Sequence, residues 1–262
     1  MAESSSSENK SEPEDSGPVP SGGIHAIKEH VSRDLTSFIM YCSRIFQILA
    51  AMAYLVPIIF PARMAYVSAL LAALLTSILR LRQRLPPPQL TREWGARLVL
   101  EDASHYVMYA LVFVVPPPLT LVLLPVTLFA VLHSSSYTLQ LLDLLGPSSA
   151  APLRYLISLV ELKSQAMLRA IAIAEIVLMP YTVAMLLVGR GSLLVPFIYY
   201  RFLSLRYASR RNPYSRTIFA ELRVALERQA ASPRCPALLS SAIHRGVALV
   251  SALSPPVMGA PQ

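Results

Sequence analysis

"FIMYCSRIFQILAAMAYLVPIIF" (38–60) runs straight on into "PARMAYVSALLAALLTSILR" (61–80), and the reading of this stretch decides the fold. Each half approaches the ~20 apolar residues that a helix needs to cross the hydrocarbon core of a bilayer. Pro57 and Pro61 fall at the junction, where a ring in place of an N–H interrupts helical bonding and permits a tight reversal. The pattern predicts a hairpin of two membrane helices. Its second arm carries Ala65, Ser68, Ala69, Ala72, Ala73 and Ser77, small side chains that let helices approach closely in lipid. Arg44 lies early enough in the first arm for its long stem to carry the charge toward the interface.

The composition of the whole chain agrees. Of its 262 residues 54% are hydrophobic and 15% charged, against about a quarter charged in an average soluble domain. A formal charge of +8 would suit a nucleic-acid binder. The apolar runs are too long for a soluble basic domain, however, and no recognised nucleic-acid module is present, so direct nucleic-acid binding is not expected. Cys42 and Cys235 lie far apart, at no metal or redox spacing.

Upstream of the hairpin, residues 1–23 are acidic and rich in Ser, Pro and Gly, the composition of a disordered tail. No secretory signal is read there, and the first internal apolar segment is expected to direct insertion. Residues 24–37 set Ile24, Ile27, Val31 and Leu35 against Lys28, Glu29, Arg33 and Asp34. This is an amphipathic lead-in helix that either lies on the membrane surface or packs on protein.

Downstream, residues 80–97 form a polar connection with five arginines. A second apolar pair follows at 98–115 and 119–133, separated by Pro116, Pro117 and Pro118 and short enough for a shallow hairpin. Residues 134–165 are more polar and contain the loop signal "GPSSAAP". A further span is read at 166–188, with Glu175 near its middle and a kink expected at Pro180. After the turn "GRG", the segment 192–205 is too short to cross comfortably and is expected to be re-entrant or steeply tilted. The membrane domain therefore covers 38–205, and the fold class is all-α, a polytopic helical membrane protein. Nine arginines follow from Arg201 onward, against none or one in the proline turns. Retention of positive charge in the cytosol then places the 80–97 loop and both termini there.

The arginine cluster itself, "RFLSLRYASRRNPYSR" (201–216), contributes Arg201, Arg206, Arg210, Arg211 and Arg216. Behind it, "YSRTIFAELRVALERQA" (214–230) sets Ile218, Phe219, Leu222 and Leu226 against Arg223 and Arg228, and a second amphipathic stretch follows within the basic region 206–262. These residues are expected to face anionic lipid headgroups, which attract juxtamembrane arginines by about 1 kcal/mol each, or an acidic partner.

Candidate chemistry is sparse. In "EDASHY" the spacing of Glu101, Asp102 and His105 would bring all three to one helix face. One histidine with two acids falls short of a metal site, leaving a structural polar network, a pairing with the arginine loop, a proton site or a partner contact. Glu175 needs a partner inside the membrane. Arg169 is poorly placed, Arg44 or a tyrosine from another span is better, and the carboxyl otherwise stays protonated. No cofactor is expected, and no Ser-His-Asp order or phosphate-binding glycine loop is present.

Three segments, "LTSILRLRQRLPPPQL" (75–90), "LVLEDASHYVMYALVF" (98–113) and "GSLLVPFIYYRFLSLRYASRRNPYSRTIFAELR" (191–223), resemble the transmembrane protein 33 family, which includes insect Krüppel homologue 2 and fungal pore-membrane relatives. The likeness runs from about residue 36 to about residue 254. The resemblance implies a multispanning protein of the endoplasmic reticulum and nuclear envelope that regulates the tubular reticulum alongside reticulon-type proteins. It also implies links to stress and calcium signalling and, through fungal members, to nuclear pores and transport factors. It implies no enzymatic activity. Membrane organisation and scaffolding are thus expected, and the rival class is an ion channel or transporter subunit that uses the intramembrane acids.

Overall fold

The computed structural model describes residues 23–58, 60–146, 150–209 and 212–254. The acidic tail (except Gly23), Arg210 and Arg211 lie outside the described residues. Among those described there is no strand, and four helices are long and apolar enough to cross a membrane.

The first hairpin forms as the prolines predict. Helix α2 (Leu35–Leu55) packs along α3 (Ala62–Arg84), with the reversal at 56–61. Ala65, Ala69, Ala72 and Ala73 are buried in α3, so the small residues lie where helices meet. Across this contact Ser43 donates to the Ala72 carbonyl at 3.1 Å and Thr76 to the Ser43 hydroxyl at 3.1 Å.

Ahead of the hairpin, α1 (Ile24–Arg33) stops at Asp34, whose carboxylate caps α2 by accepting from the Ser37 amide at 2.9 Å. This lead-in helix touches α6, although none of its residues is buried. The Gly23 amide donates to the Leu144 carbonyl at 2.9 Å, and the His30 ring lies 5.9 Å from that of Tyr137.

The segment 98–115 is not one helix. Helix α4 (Arg92–Leu100) ends at Glu101, which is extended, and α5 (Asp102–Val114) starts afresh. The following arm is longer than its apolar run: α6 (Thr120–Leu145) continues through Ser134, Ser135 and Ser136. Two of these serines, Ser134 and Ser136, return their hydroxyls to carbonyls of the preceding turn, which lets a helix tolerate them. The polar stretch is therefore mostly helical, with α7 (Ala151–Leu162) beyond the loop and Arg154 fastening it to α6 through Asp143 (2.7 Å) and the Leu142 carbonyl (2.7 Å).

Helix α8 (Ser164–Leu187) contains Pro180 and ends in a Schellman turn, with the Arg190 amide donating to Met185 and the Gly189 amide to Leu186, each at 2.9 Å. Gly189 has φ +72, the left-handed conformation this cap requires. Helix α9 (Leu194–Ala208) then returns along α8, α10 (Tyr214–Ala230) packs on α8 and α9, and α11 (Ala237–Leu253) packs on α10.

Six helices, α2, α3, α5, α6, α8 and α9, thus form an up-and-down bundle. One end bears the proline turns and "GRG"; the other, the basic end, bears α4, α7, α10 and the arginine loop. The core is aromatic: Tyr66, Tyr109, Phe113, Tyr199 and Phe202 are buried together around Leu70 and Val122. Each tyrosine hydroxyl reaches a carbonyl, Tyr66 that of Phe113 (3.2 Å), Tyr109 that of Val122 (2.8 Å) and Tyr199 that of Glu175 (2.7 Å). A buried phenol thereby keeps its ring in the core without orphaning its O–H.

At the proline end Arg63 caps α5, donating to the carbonyls of Pro116 (2.7 Å) and Val115 (2.9 Å). A cation on the free carbonyls of a helix C-terminus opposes the negative end of the dipole. Arg63→Ala is expected to lower stability by about 1 kcal/mol. Arg63→Lys should recover only part, because an ammonium cannot span two acceptors as a guanidinium does. Thermal unfolding in detergent measures both.

Candidate functional site

Four of the residues singled out in the sequence meet, directly or through one neighbour, at the basic half of the bundle, but not as their spacing suggested. Glu175 on α8 is 0% exposed and Arg206 on α9 is 1% exposed. Arg206 Nε donates to Glu175 Oε2 at 3.1 Å. Tyr106 of α5 donates its hydroxyl to the other oxygen, Oε1. Both carboxylate oxygens therefore accept, and the intramembrane acid is matched by a cation and a phenol from two neighbouring helices. The Arg206 guanidinium lies 5.2 Å from the centroid of the Tyr106 ring and 5.9 Å from that of Phe129, so aromatic faces complete the charge's surroundings.

Asp102 opens α5 close by. Its carboxylate lies 3.7 Å from Arg206 Nη1 and accepts from the Ser209 hydroxyl at 2.8 Å. His105, buried one turn on, places Nδ1 3.8 Å from the same carboxylate and Nε2 2.8 Å from the Val99 carbonyl. A carbonyl only accepts, so Nε2 carries the proton and the ring staples α4 to α5. Glu101 does not join them. The helix breaks at that residue, whose side chain pairs with Arg84 at 3.2 Å. Among the described residues no three His, Cys, Asp or Glu side chains are gathered as a metal would require.

Of the two partners offered for Glu175, a tyrosine from another helix is present in Tyr106, whereas the arginine is Arg206 and not Arg44. Arg206 was expected at the headgroups with the rest of its cluster. It points inward because Tyr199, Phe202, Leu203 and Arg206 recur at helical spacing on the buried face of α9. That spacing was the available signal. Arg44 likewise does not snorkel: it is buried against α3 and α6 rather than reaching the interface.

The remaining basic residues divide. Arg201, Arg223 and Arg228 are exposed, and Arg216 is half-buried. On α10 the expected apolar face is shared: Ile218 is buried in the bundle and Phe219 packs against it, its ring 5.6 Å from that of Tyr207, while Leu222 and Leu226 remain exposed. Arg169 of α8 grips α10 through a two-pronged contact with Glu221 at 3.0 and 2.7 Å. Helix α11 has no buried residue. Its Leu238, Leu239, Leu249, Val250 and Leu253 are exposed, Leu238 to 88%, and its last turn is tied to α9 by the Tyr200 hydroxyl on the Leu253 carbonyl at 3.1 Å.

The sequence model of the family described as Transmembrane protein 33/Nucleoporin POM33 matches residues 19–256. The chain belongs to that family. Among its relatives in this family, human "Transmembrane protein 33" is 46% identical over 220 residues, covering 83% of this chain and 89% of the human one. Drosophila melanogaster "Krueppel homolog 2" is 41% identical over 227 residues (87% and 82%), and the Caenorhabditis elegans "Transmembrane protein 33 homolog" 38% over 236 (89% and 87%). No solved structure matches the chain. The matched range takes in the Transmembrane protein 33/Nucleoporin POM33 chain from just before α1 through α11, so the ion-paired bundle and the amphipathic helices both lie inside the family's extent.

Proposed function

We propose that this protein organises endoplasmic reticulum and nuclear envelope membrane, without catalysis, by loading one leaflet with amphipathic helix and by scaffolding other proteins there. The observation that carries this reading is α11, an apolar helix beside the membrane bundle whose leucines stay about half exposed or more. With Leu222 and Leu226 of α10 it offers lipid an apolar face, while the exposed Arg201 and Arg228 meet anionic headgroups beside Arg223, which is shared with Glu227 at 2.7 Å. Area added to one leaflet favours curvature or the recognition of it. Both termini are cytosolic in this reading, since the basic end carries the arginines. Reticulon-type proteins and nuclear pore or transport factors are the partners it anticipates, the second in keeping with the word nucleoporin in the family's description.

Full-length protein reconstituted into vesicles of graded radius tests the proposal. Wild type should concentrate on the narrowest vesicles. Burial of one leucine is worth at least about 1.5 kcal/mol, roughly a factor of ten in partition. Replacing Leu238, Leu239, Leu249 and Leu253 by serine should therefore abolish the preference. The same distribution for both proteins would overturn it.

A further inference from the structure

Inside the basic end, between α2, α3, α5, α6 and α9, lies a cavity of about 340 Å³, within the size range of small-ligand sites. Arg44, Arg80, Arg84 and Arg206 all line it, with His133. Asp102 is the one carboxylate among its lining residues. It is already engaged by Ser209, and Glu175 and Glu101 hold Arg206 and Arg84 from outside the cavity.

Donors remain unspent. Arg44 is 9% exposed, yet it makes no hydrogen bond or ion pair with a described residue. Arg206 keeps Nη2 buried without an acceptor. Arg80 donates Nη1 to His133 Nε2 at 2.9 Å, so that ring nitrogen serves as an acceptor and adds no charge. Arg84 stands at the surface, with a side chain 39% exposed, and marks where the cavity meets the outside. A buried guanidinium N–H without an acceptor, as at Arg206 Nη2, is costly unless an anion meets it. A planar fork of donors suits the tetrahedral oxygens of phosphate.

We propose that this cavity binds a phosphate monoester, with Arg44 and Arg206 as its inner donors and Arg84 at its mouth. A phospholipid headgroup entering from the basic-end leaflet and a soluble phosphate compound share this chemistry. The site is separate from the α11 surface, and the proposal does not rest on the reading of that surface.

The test uses purified full-length protein in detergent with three probes: dioctanoyl phosphatidic acid, inorganic phosphate and dioctanoyl phosphatidylcholine. Bound probe is counted by native mass spectrometry, and the thermal midpoint is followed in parallel. One phosphatidic acid per chain with a raised midpoint, and no response to phosphatidylcholine, is expected. Inorganic phosphate matching phosphatidic acid would identify a soluble ligand; phosphatidic acid alone would identify the lipid. Arg44→Gln and, independently, the exposed Arg84→Gln should each weaken binding at least tenfold, while Arg223→Gln on α10 leaves it unchanged. No response to either phosphate probe, or equal binding by wild type and both cavity variants, overturns the proposal.

Discussion

Arg206→Ala is expected to destabilise the bundle by about 3–5 kcal/mol, the cost of stranding one partner of a buried ion pair. Glu175 would lose the donor at Oε2 in a site with 0% exposure. Tyr106 alone would then have to satisfy it. Glu175→Ala should cost a similar amount by leaving the guanidinium without its principal acceptor, although Asp102 at 3.7 Å softens the loss. The double variant Glu175→Leu/Arg206→Met separates attraction from desolvation. Because the pair repays much of its own dehydration and little more, the double variant should be far less damaging than the sum of the single changes. Equilibrium unfolding in mixed detergent measures all four proteins, and additive costs would refute the pairing. A further variant at the same residue addresses the rival flux reading. A carboxylate held at both oxygens is poorly free to carry ions or protons, so Glu175→Gln should leave ion leak through proteoliposomes unchanged.

Tyr199→Ala is expected to cost about 3 kcal/mol, toward the low end for truncating a large aromatic core residue. The ring is fully buried among Tyr109 (6.1 Å), Phe113 (5.4 Å) and Phe202 (5.3 Å), where α5 and α9 pack together. The low end applies because lipid chains are as apolar as the core, so the loss is of packing and not of transfer from water. Tyr199→Phe should cost only about 1 kcal/mol, the worth of one hydrogen bond to the Glu175 carbonyl. Since that carbonyl belongs to the residue whose side chain Arg206 holds, Tyr199→Ala and Arg206→Ala should be non-additive by about 0.5 kcal/mol or more.

The membrane helices were legible in the sequence because hydropathy and proline act locally: the run 38–80 folds as the hairpin it spells. The limits of α6 were not, since Ser134, Ser135 and Ser136 look like a loop in composition while their hydroxyls can serve the helix that carries them. The break at Glu101 has neither proline nor glycine to announce it. It arises from tertiary demand, as Arg84 pairs with the side chain and His105 binds back to Val99. At the site, an unpaired acid within a span called for a partner, and Tyr106 met that expectation. Arg206 escaped notice because its arginine neighbours share its chemistry and differ only in helical phase.

Helix α9 has a geometric consequence for the lipid around it. Its outward face shows Leu194 and Phe197 and then Arg201, so the apolar strip there is only about eight residues, or roughly 12 Å, tall. Helix α5, with 13 residues, is also short of a full crossing. The hydrocarbon slab must pinch on this flank to meet that strip, and each ångström of mismatch is a fraction of a kcal/mol saved in a slimmer bilayer. A wall this low favours residence in a thinner bilayer.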